Sequence, residues 1–379
     1  MIRKSLFATA LLAIVASRSG AQGALSLEGL GYPPGQFSAR AEGTGGALAD
    51  FDPLSLVSPA AIASAGSAAL FFQYSPEFRR VTTASGSAKT TTARFPLVTG
   101  VLPMGDQWAL GLSSSTFLDR SSETSLKRTQ IVGAATDTVS LTEQNKVLGA
   151  INDVRLALAW SSSPVLRIGA GLHVFAGSNR LTLSQLFPDS AKYISTTQTG
   201  RISYAGLAAS LGVEIHPSRV LALAVSGRKG GDLRAESGDT AIGSGRIPDH
   251  YSASLTFEGI PGAAISARVA HDGWSSLNSL SSSGIQGIDG WDSAVGVEAT
   301  GPRFLQRIIT VRAGARFRTL PFAFNGEKVS ETSFAAGFGA PLTRDRAALD
   351  FSIQRASRTA GSDVKERGFI LSFGLRVSP

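Results

Sequence analysis

Four histidines, His173, His216, His250 and His271, are the side chains of this chain best suited to moving protons or binding metal near neutral pH. Asp249-His250 and His271-Asp272 each set a carboxylate beside an imidazole, the pairing with which a hydrolase orients its base. Neither pair is joined by a nucleophile motif, no histidines share a metal-ligand spacing, and there is no cysteine. The run GTGGALAD, residues 43–50, looks like a phosphate-cradling glycine loop, but such a loop follows a strand and opens a helix in a βαβ unit, and no such unit is readable here. The expectation is a protein that is not an enzyme and holds no metal or cofactor.

The other chemistry-bearing residues are charges that occur singly within uncharged stretches: Asp153, Arg155, Arg167, Glu214, Glu258, Arg268, Glu298, Arg312, Arg316, Asp350 and Arg376. Two roles suit them. They could pair with one another across an enclosed space, or Arg312 or Arg316 could grip a carboxylate with its planar fork. The ion-pair network is the expected role, with Glu298, Arg312, Arg316, Asp350 and Arg376 as its principal luminal charges.

The elements that must position these charges have a period of two, the mark of a strand with unlike faces. In RGFILSFGLRVSP, Phe369, Leu371, Phe373, Leu375 and Val377 alternate with Ile370, Ser372, Gly374 and Arg376. Val311, Ala313, Ala315 and Phe317 alternate with Arg312, Gly314, Arg316 and Arg318, and Leu349, Phe351 and Ile353 with Asp350, Ser352 and Gln354. The polar face carries Gly, Ser and isolated charges where a soluble sandwich would carry Lys, Glu and Thr, so the apolar face is expected to meet lipid and the polar face a lumen.

Turn residues divide the stretch from residue 67 to 379 into strands. Short connections fall at 103–107, 161–164, 216–219, 259–262, 300–306 and 341–346. Longer polar excursions alternate with them at 82–90, 119–142, 178–200, 231–245, 272–290, 319–330 and 358–368. Seven long and six short connections require fourteen strands, and the reading is an all-β fold: a 14-stranded antiparallel transmembrane β-barrel with both termini on the periplasmic side. Trp108, Trp160, Tyr251, Trp274 and Trp291 are placed where an interfacial girdle would use them.

Composition agrees. Residues 1–21 read as a cleaved export signal, with Arg3 and Lys4 ahead of the apolar run Leu6–Ala16 and a small-residue cleavage site at Ser19-Gly20-Ala21. The formal charge of +8 falls to +5 when Arg3, Lys4 and Arg18 leave with the signal. Basic residues scattered singly, with export from the cytoplasm, exclude a nucleic-acid partner. Only 17% of residues are charged and 42 are glycine, and no later apolar run reaches the roughly 18 residues of a membrane-spanning helix. The expected location is the bacterial outer membrane.

Residues 22–66 precede the first strand and do not alternate. Leu48, Phe51, Leu54, Leu56, Val57 and Ile62 supply too much apolar surface for a loose tail, and the intervening glycines and alanines suit a plug packed inside a narrow lumen. This segment resembles the one that stands before the first strand in the FadL/TodX outer-membrane transporters of hydrophobic compounds and the related PorV-like barrels. Gly45-Gly46-Ala47, Ala49-Asp50 and Ser58-Pro59-Ala60-Ala61-Ile62 carry the resemblance, with Ser58 in place of that family's Asn and Ala61 in place of its frequent Gly. The stretch from Gly314 to Leu342, followed by ALDFSIQRASR, is similar to the family's last strands.

The resemblance implies a luminal hatch built around Gly45, Gly46, Asp50, Asp52, Ser58, Pro59 and Ala60, and passive uptake of long-chain fatty acids or hydrocarbons. It implies as partners the outer-membrane lipid, a hydrophobic small-molecule substrate and, during biogenesis, the barrel-assembly machinery. Apolar residues in the long connections, namely Leu181, Leu183, Leu186, Phe187 and Tyr193 with Leu320, Phe322 and Phe324, are expected to form the uptake groove. A PorV-like role in protein secretion or surface attachment is the alternative; a general porin would have no use for the plug.

Overall fold

The computed structural model describes residues 31–83, 86–132, 137–188, 192–280, 287–304, 307–324, 327–342, 346–361 and 364–378. The expected export signal and the first residues of the expected hatch lie outside the described residues, as do parts of the connections at 300–306 and 341–346.

Sixteen strands follow along the described chain: β1 (Ala69–Thr83), β2 (Gly86–Met104), β3 (Trp108–Asp119), β4 (Ser122–Val132), β5 (Asp137–Ser163), β6 (Leu166–Leu186), β7 (Thr196–Ser218), β8 (Leu221–Ser237), β9 (Thr240–Arg246), β10 (His250–Ile260), β11 (Ala263–Asp272), β12 (Gly290–Phe304), β13 (Arg307–Phe324), β14 (Glu327–Pro341), β15 (Ala347–Ala360) and β16 (Val364–Val377). Fourteen of them close a barrel. Each pairs antiparallel with its neighbour, β8 pairs directly with β10, and β16 returns to β1 through Leu70 opposite Val377. The two remaining strands are not part of the wall: β4 folds back on β5 and β9 on β8. The polar excursions at 119–142 and 231–245 are thus paired ribbons above the barrel. Gly238, at φ 61°, makes the tight turn of the second, a backbone conformation that glycine adopts without steric cost.

Wall height varies around the barrel. β10 and β11 have 11 and 10 residues, about what one tilted crossing of a bilayer needs. β5, β6 and β7 have 27, 21 and 23 and stand well above their neighbours. The alternation sorts as its residue types require: Leu172, Leu211, Val225 and Phe334 are more than half exposed on the outside, while serines, arginines and acids turn inward. An apolar belt of this extent is untenable in water and belongs in hydrocarbon. Among the described residues no helix is long and apolar enough to cross a membrane; strands make the crossing.

Trp108 and Trp160 pair across β3 and β5 beside the short turns, with ring centroids 6.4 Å apart. Tyr251 and Trp291 are exposed at the opposite end. Trp274 departs from the expected girdle. It lies in the turn Trp274–Leu280 of the β11–β12 connection, which folds inward, and stacks on Phe117 at 5.3 Å. A connector that dips into the lumen offers its tryptophan an apolar wall rather than a lipid interface.

One seam interrupts the wall. Pairing between β2 and β3 stops at Leu97 opposite Ser115, next to Pro96, which has no N–H for a sheet ladder. Beyond this point Tyr32 takes the free edge of β3, donating N–H to Asp119 O at 2.8 Å and accepting Asp119 N–H at 2.9 Å.

Candidate functional site

Residues 31–66 lie inside the barrel, largely buried. Their α-helical turn, α1 (Ala39–Gly43), is capped by Ser38, whose Oγ accepts from Ala41 N. Asp52 holds the segment to itself: Ser38 Oγ and Ser55 Oγ donate to its Oδ2 at 2.5 and 2.6 Å. Asp50 holds it to the wall. Its carboxylate accepts from Ser226 (2.9 Å) and Ser252 (2.7 Å) on one oxygen, and from Ser254 (2.6 Å) and Arg268 Nε (2.9 Å) on the other. Arg40 grips Glu298 on the next strand, β12, with Nε at 2.9 Å and Nη2 at 2.6 Å. Glu42, also in α1 and half-buried, is pushed up to about 7 by desolvation.

Glycines on both partners permit the close fit. Gly45, at φ 68°, lies against the Ala315 backbone, where a Cβ would stand 3.0 Å from its nitrogen. Ser58 and Pro59 press into β6 and β7 where the wall has glycine: a Cβ at Gly169 would meet Pro59 C at 2.4 Å, and one at Gly212 would meet Ser58 Oγ at 2.6 Å. Among the described residues Ser58 Oγ is buried without a hydrogen-bond partner, and this end of the hatch fits by shape, with Ala60 and Ile62 fully buried beside it.

The half of the lumen behind β1, β2 and β13–β16 is filled with charge. Tyr32 lies with Arg79, Arg94, Arg318 and Arg358 within 4.4 to 5.3 Å of its ring centroid. Arg358 donates Nε to Glu331 at 2.5 Å, approaches Glu77 at 2.8 Å, pairs with Glu366 and donates Nη2 to Tyr32 OH at 2.7 Å. Arg94 joins Glu77 (2.6 Å) to Asp119 (2.5 Å), and Arg318 Nε meets Glu331 at 2.6 Å.

The half facing β6–β8 and β10–β13 keeps open space. A partly open cavity is lined by Phe37, Leu56 and Val57 from the hatch, Phe117, Trp274 and Leu320 from the wall and its connectors, and a polar set that includes Gln36, His173, Ser210, Arg228, His250 and Arg268. Phe37 lies under two guanidinium groups, Arg316 at 4.6 Å and Arg268 at 5.3 Å. Gln36 links hatch to wall by donating to Ser115 (2.9 Å) and Asp153 (2.7 Å) and accepting from Arg228 (3.1 Å). The mixture of aromatic faces and fixed donors suits a ligand with an apolar body and a polar end.

Among the expected luminal charges, Arg312 joins Glu298 and Asp350, both at 2.6 Å, and Arg316 takes Asp292 with two nitrogens at 2.8 and 2.7 Å. Because their forks are occupied by wall carboxylates, neither is open to a carboxylate ligand. Arg376 shares the inward parity but is exposed at the periplasmic mouth, as is Glu258, because both lie beyond the depth the hatch fills. Arg167, Glu214 and His216 form a separate group, with His216 Nε2 2.7 Å from Glu214. His250 pairs with Asp272 across β10–β11 at 2.7 Å, not with the adjacent Asp249, which meets Lys229. His271 turns outward against Trp291.

The expected uptake groove is divided. Leu186 and Phe187 stand at the top of β6, Phe187 5.4 Å from Tyr193, with Leu183 half-buried. Leu320 and Phe322 are instead buried with Tyr32, Val81, Val329 and Ala360: what reads as an apolar loop is the inward face of an extended β13. The side chain of Phe324 lies outside the described residues. Sequence reading missed Tyr32 and Gln36 in YPPGQF, and Glu77, Arg79, Arg94, Glu331, Arg358 and Glu366. For these charges, inward parity was the available signal.

No family model matches the chain, and no curated protein matches it in sequence. Solved structures do. A FadL homologue from Pseudomonas aeruginosa superposes with a TM-score of 0.65 at 12% identity, over 92% of this chain and 99% of that one. The monoaromatic hydrocarbon channel CymD gives 0.56 at 14%, over 92% and 98%. The Pseudomonas putida toluene transporter TodX gives 0.54 at 13%, over 92% and 98%. The chain has the fold of the FadL/TodX-type barrels along nearly its whole length.

Proposed function

We propose that this protein is an outer-membrane transport protein that admits hydrophobic small molecules passively through a hatch-plugged barrel. The observation that carries the reading is the cavity between hatch and wall, whose aromatic and aliphatic lining an apolar solute prefers to water. Solutes would gather at the rim near Leu186 and Phe187, settle against Phe37, Phe117 and Trp274, and move on when the hatch shifts. The β2–β3 seam, covered by the Gly31-Tyr32 backbone, offers a sideways route once that contact loosens. The fold's similarity to channels described as carrying monoaromatic hydrocarbons and toluene supports the same reading; whether the solute is a fatty acid or a hydrocarbon is open to experiment.

Purified protein in liposomes tests it with two labelled solutes, a long-chain fatty acid and toluene. Uptake above that of empty liposomes for either supports the proposal. Absence of uptake and binding for both, together with recovery of a secretion component in a pull-down, would replace it with the protein-partner alternative.

A further inference from the structure

We propose that Ser210, His173 and Asp153 form a nucleophile, base and orienting acid that cleave carboxylic esters inside the lumen. The three lie at inward-facing positions of the adjacent strands β7, β6 and β5. His173 Nδ1 is 2.8 and 3.0 Å from the two oxygens of Asp153, and its Nε2 is 2.8 Å from Ser210 Oγ. Asp153 accepts from Gln36 Nε2 and lies 3.6 Å from Arg228 Nη1, so it stands as a carboxylate acceptor. Nδ1 must then carry the imidazole proton, which leaves the Nε2 lone pair to accept from the Ser210 hydroxyl. That is the hydrogen-bond direction a serine nucleophile requires.

Two independent observations point to a ligand. His173 and Ser210 both line the open cavity. Beside them Arg155, fully buried, has Nε and Nη1 without a hydrogen-bond partner among the described residues, while its Nη2 reaches Ser55 O at 3.3 Å. Burying guanidinium donors unpaired is costly. A Cβ at Gly171 would stand 2.6 Å from Ser210 Oγ and 3.3 Å from Arg155 Cδ, so the glycine keeps open a point that both side chains flank. The stem of Arg155 thus runs past the nucleophile, and its unpaired nitrogens are donors that still need an acceptor.

Ser210 Oγ attacks the ester carbonyl carbon as its proton passes to His173 Nε2, and the carbonyl oxygen becomes an oxyanion. The ester C–O bond then breaks, the leaving alcohol takes the proton from Nε2, and acyl-Ser210 remains. Water repeats the sequence, releasing the carboxylic acid and restoring the hydroxyl. The substrate class is an ester with an apolar body that packs on Phe37, Val57, Phe117 and Trp274.

Full-length protein in detergent, treated with an alkyl fluorophosphonate and assayed with p-nitrophenyl butyrate, tests this independently of transport. The expected results are a covalent adduct mapped to Ser210, ester turnover, loss of both in Ser210→Ala, and a loss of about 100-fold or more in His173→Gln. Ser266→Ala, which removes a luminal hydroxyl on β11, should label as wild type does. Asp153→Asn, acting through His173, should move the pH–rate profile. Gel mobility before and after boiling reports barrel folding for each; if His173→Gln does not fold, the wild-type adduct and Ser210→Ala decide. A folded wild type without an adduct at Ser210, hydrolysing no faster than Ser210→Ala, overturns the proposal.

Discussion

Around Tyr32 the lumen is solid, with four arginines and the acids of β1, β3, β14 and β16 interlocked in one network of ion pairs. Across the barrel, behind β6–β8, similar residue types are spaced by serines, glycines and aromatic rings and leave a cavity. Both sectors are built from inward positions of the same alternating pattern. The difference lies in mutual pairing: where acid and arginine meet on neighbouring strands they satisfy one another and seal, and where an arginine such as Arg155 or a histidine such as His173 has fewer opposite charges, room and reactivity remain. A barrel can thus be plugged on one side and functional on the other without a second domain.

Removing residues 31–66 abolishes the distinction and is the largest perturbation: conductance in planar bilayers should rise from near closed to open-pore levels, and unchanged conductance would mean the hatch does not block the lumen. Arg358→Ala attacks the sealed side. It removes the main cation partner of Glu366 and one of the cations that hold Glu77 and Glu331, which should cost about 3–5 kcal/mol and lower the temperature at which the barrel loses its folded gel mobility. Asp50→Asn weakens the wall anchor on the open side; a loss of about 1–3 kcal/mol should show as faster hydrogen exchange confined to residues 31–66, with the Tyr32 sector protected as before.

Smaller still is the effect of Glu42→Gln. With its carboxyl raised to about 7 by burial, the folded state keeps a proton that the unfolded state loses between pH 4.5 and 7, so stability falls as pH rises through that window. The variant should flatten that decline in thermal midpoint, standing above wild type at pH 8 and matching it at pH 4. Smallest is Leu186→Ser with Phe187→Ser at the rim, expected to slow solute uptake several-fold with no change in melting temperature.

Strand number, inward parity and the six short turns were legible because each depends on local alternation and on turn residues. The strand extensions at 119–142 and 231–245 were not. Above the membrane neither face of a ribbon meets lipid, so the apolar signal that marks a strand is absent there. The hatch was readable from its small and apolar residues, yet its anchor to Ser226, Ser252, Ser254 and Arg268 depends on positions roughly two hundred residues distant, brought together only by barrel closure. Ser210 and His173 were hidden in the same way. They share no local motif, and a serine among many inward serines carries no mark of its own until β5, β6 and β7 are in register.

The fit of Pro59 between Gly169 and Gly212 bears on how the molecule is made. A segment seated with so little clearance, and gripped by the wall through both Asp50 and Arg40, is poorly suited to being threaded into a finished cylinder. Because it precedes β1 in the chain, it is available before the last strand arrives, and it can serve as a mandrel around which the wall is wound before β16 meets β1.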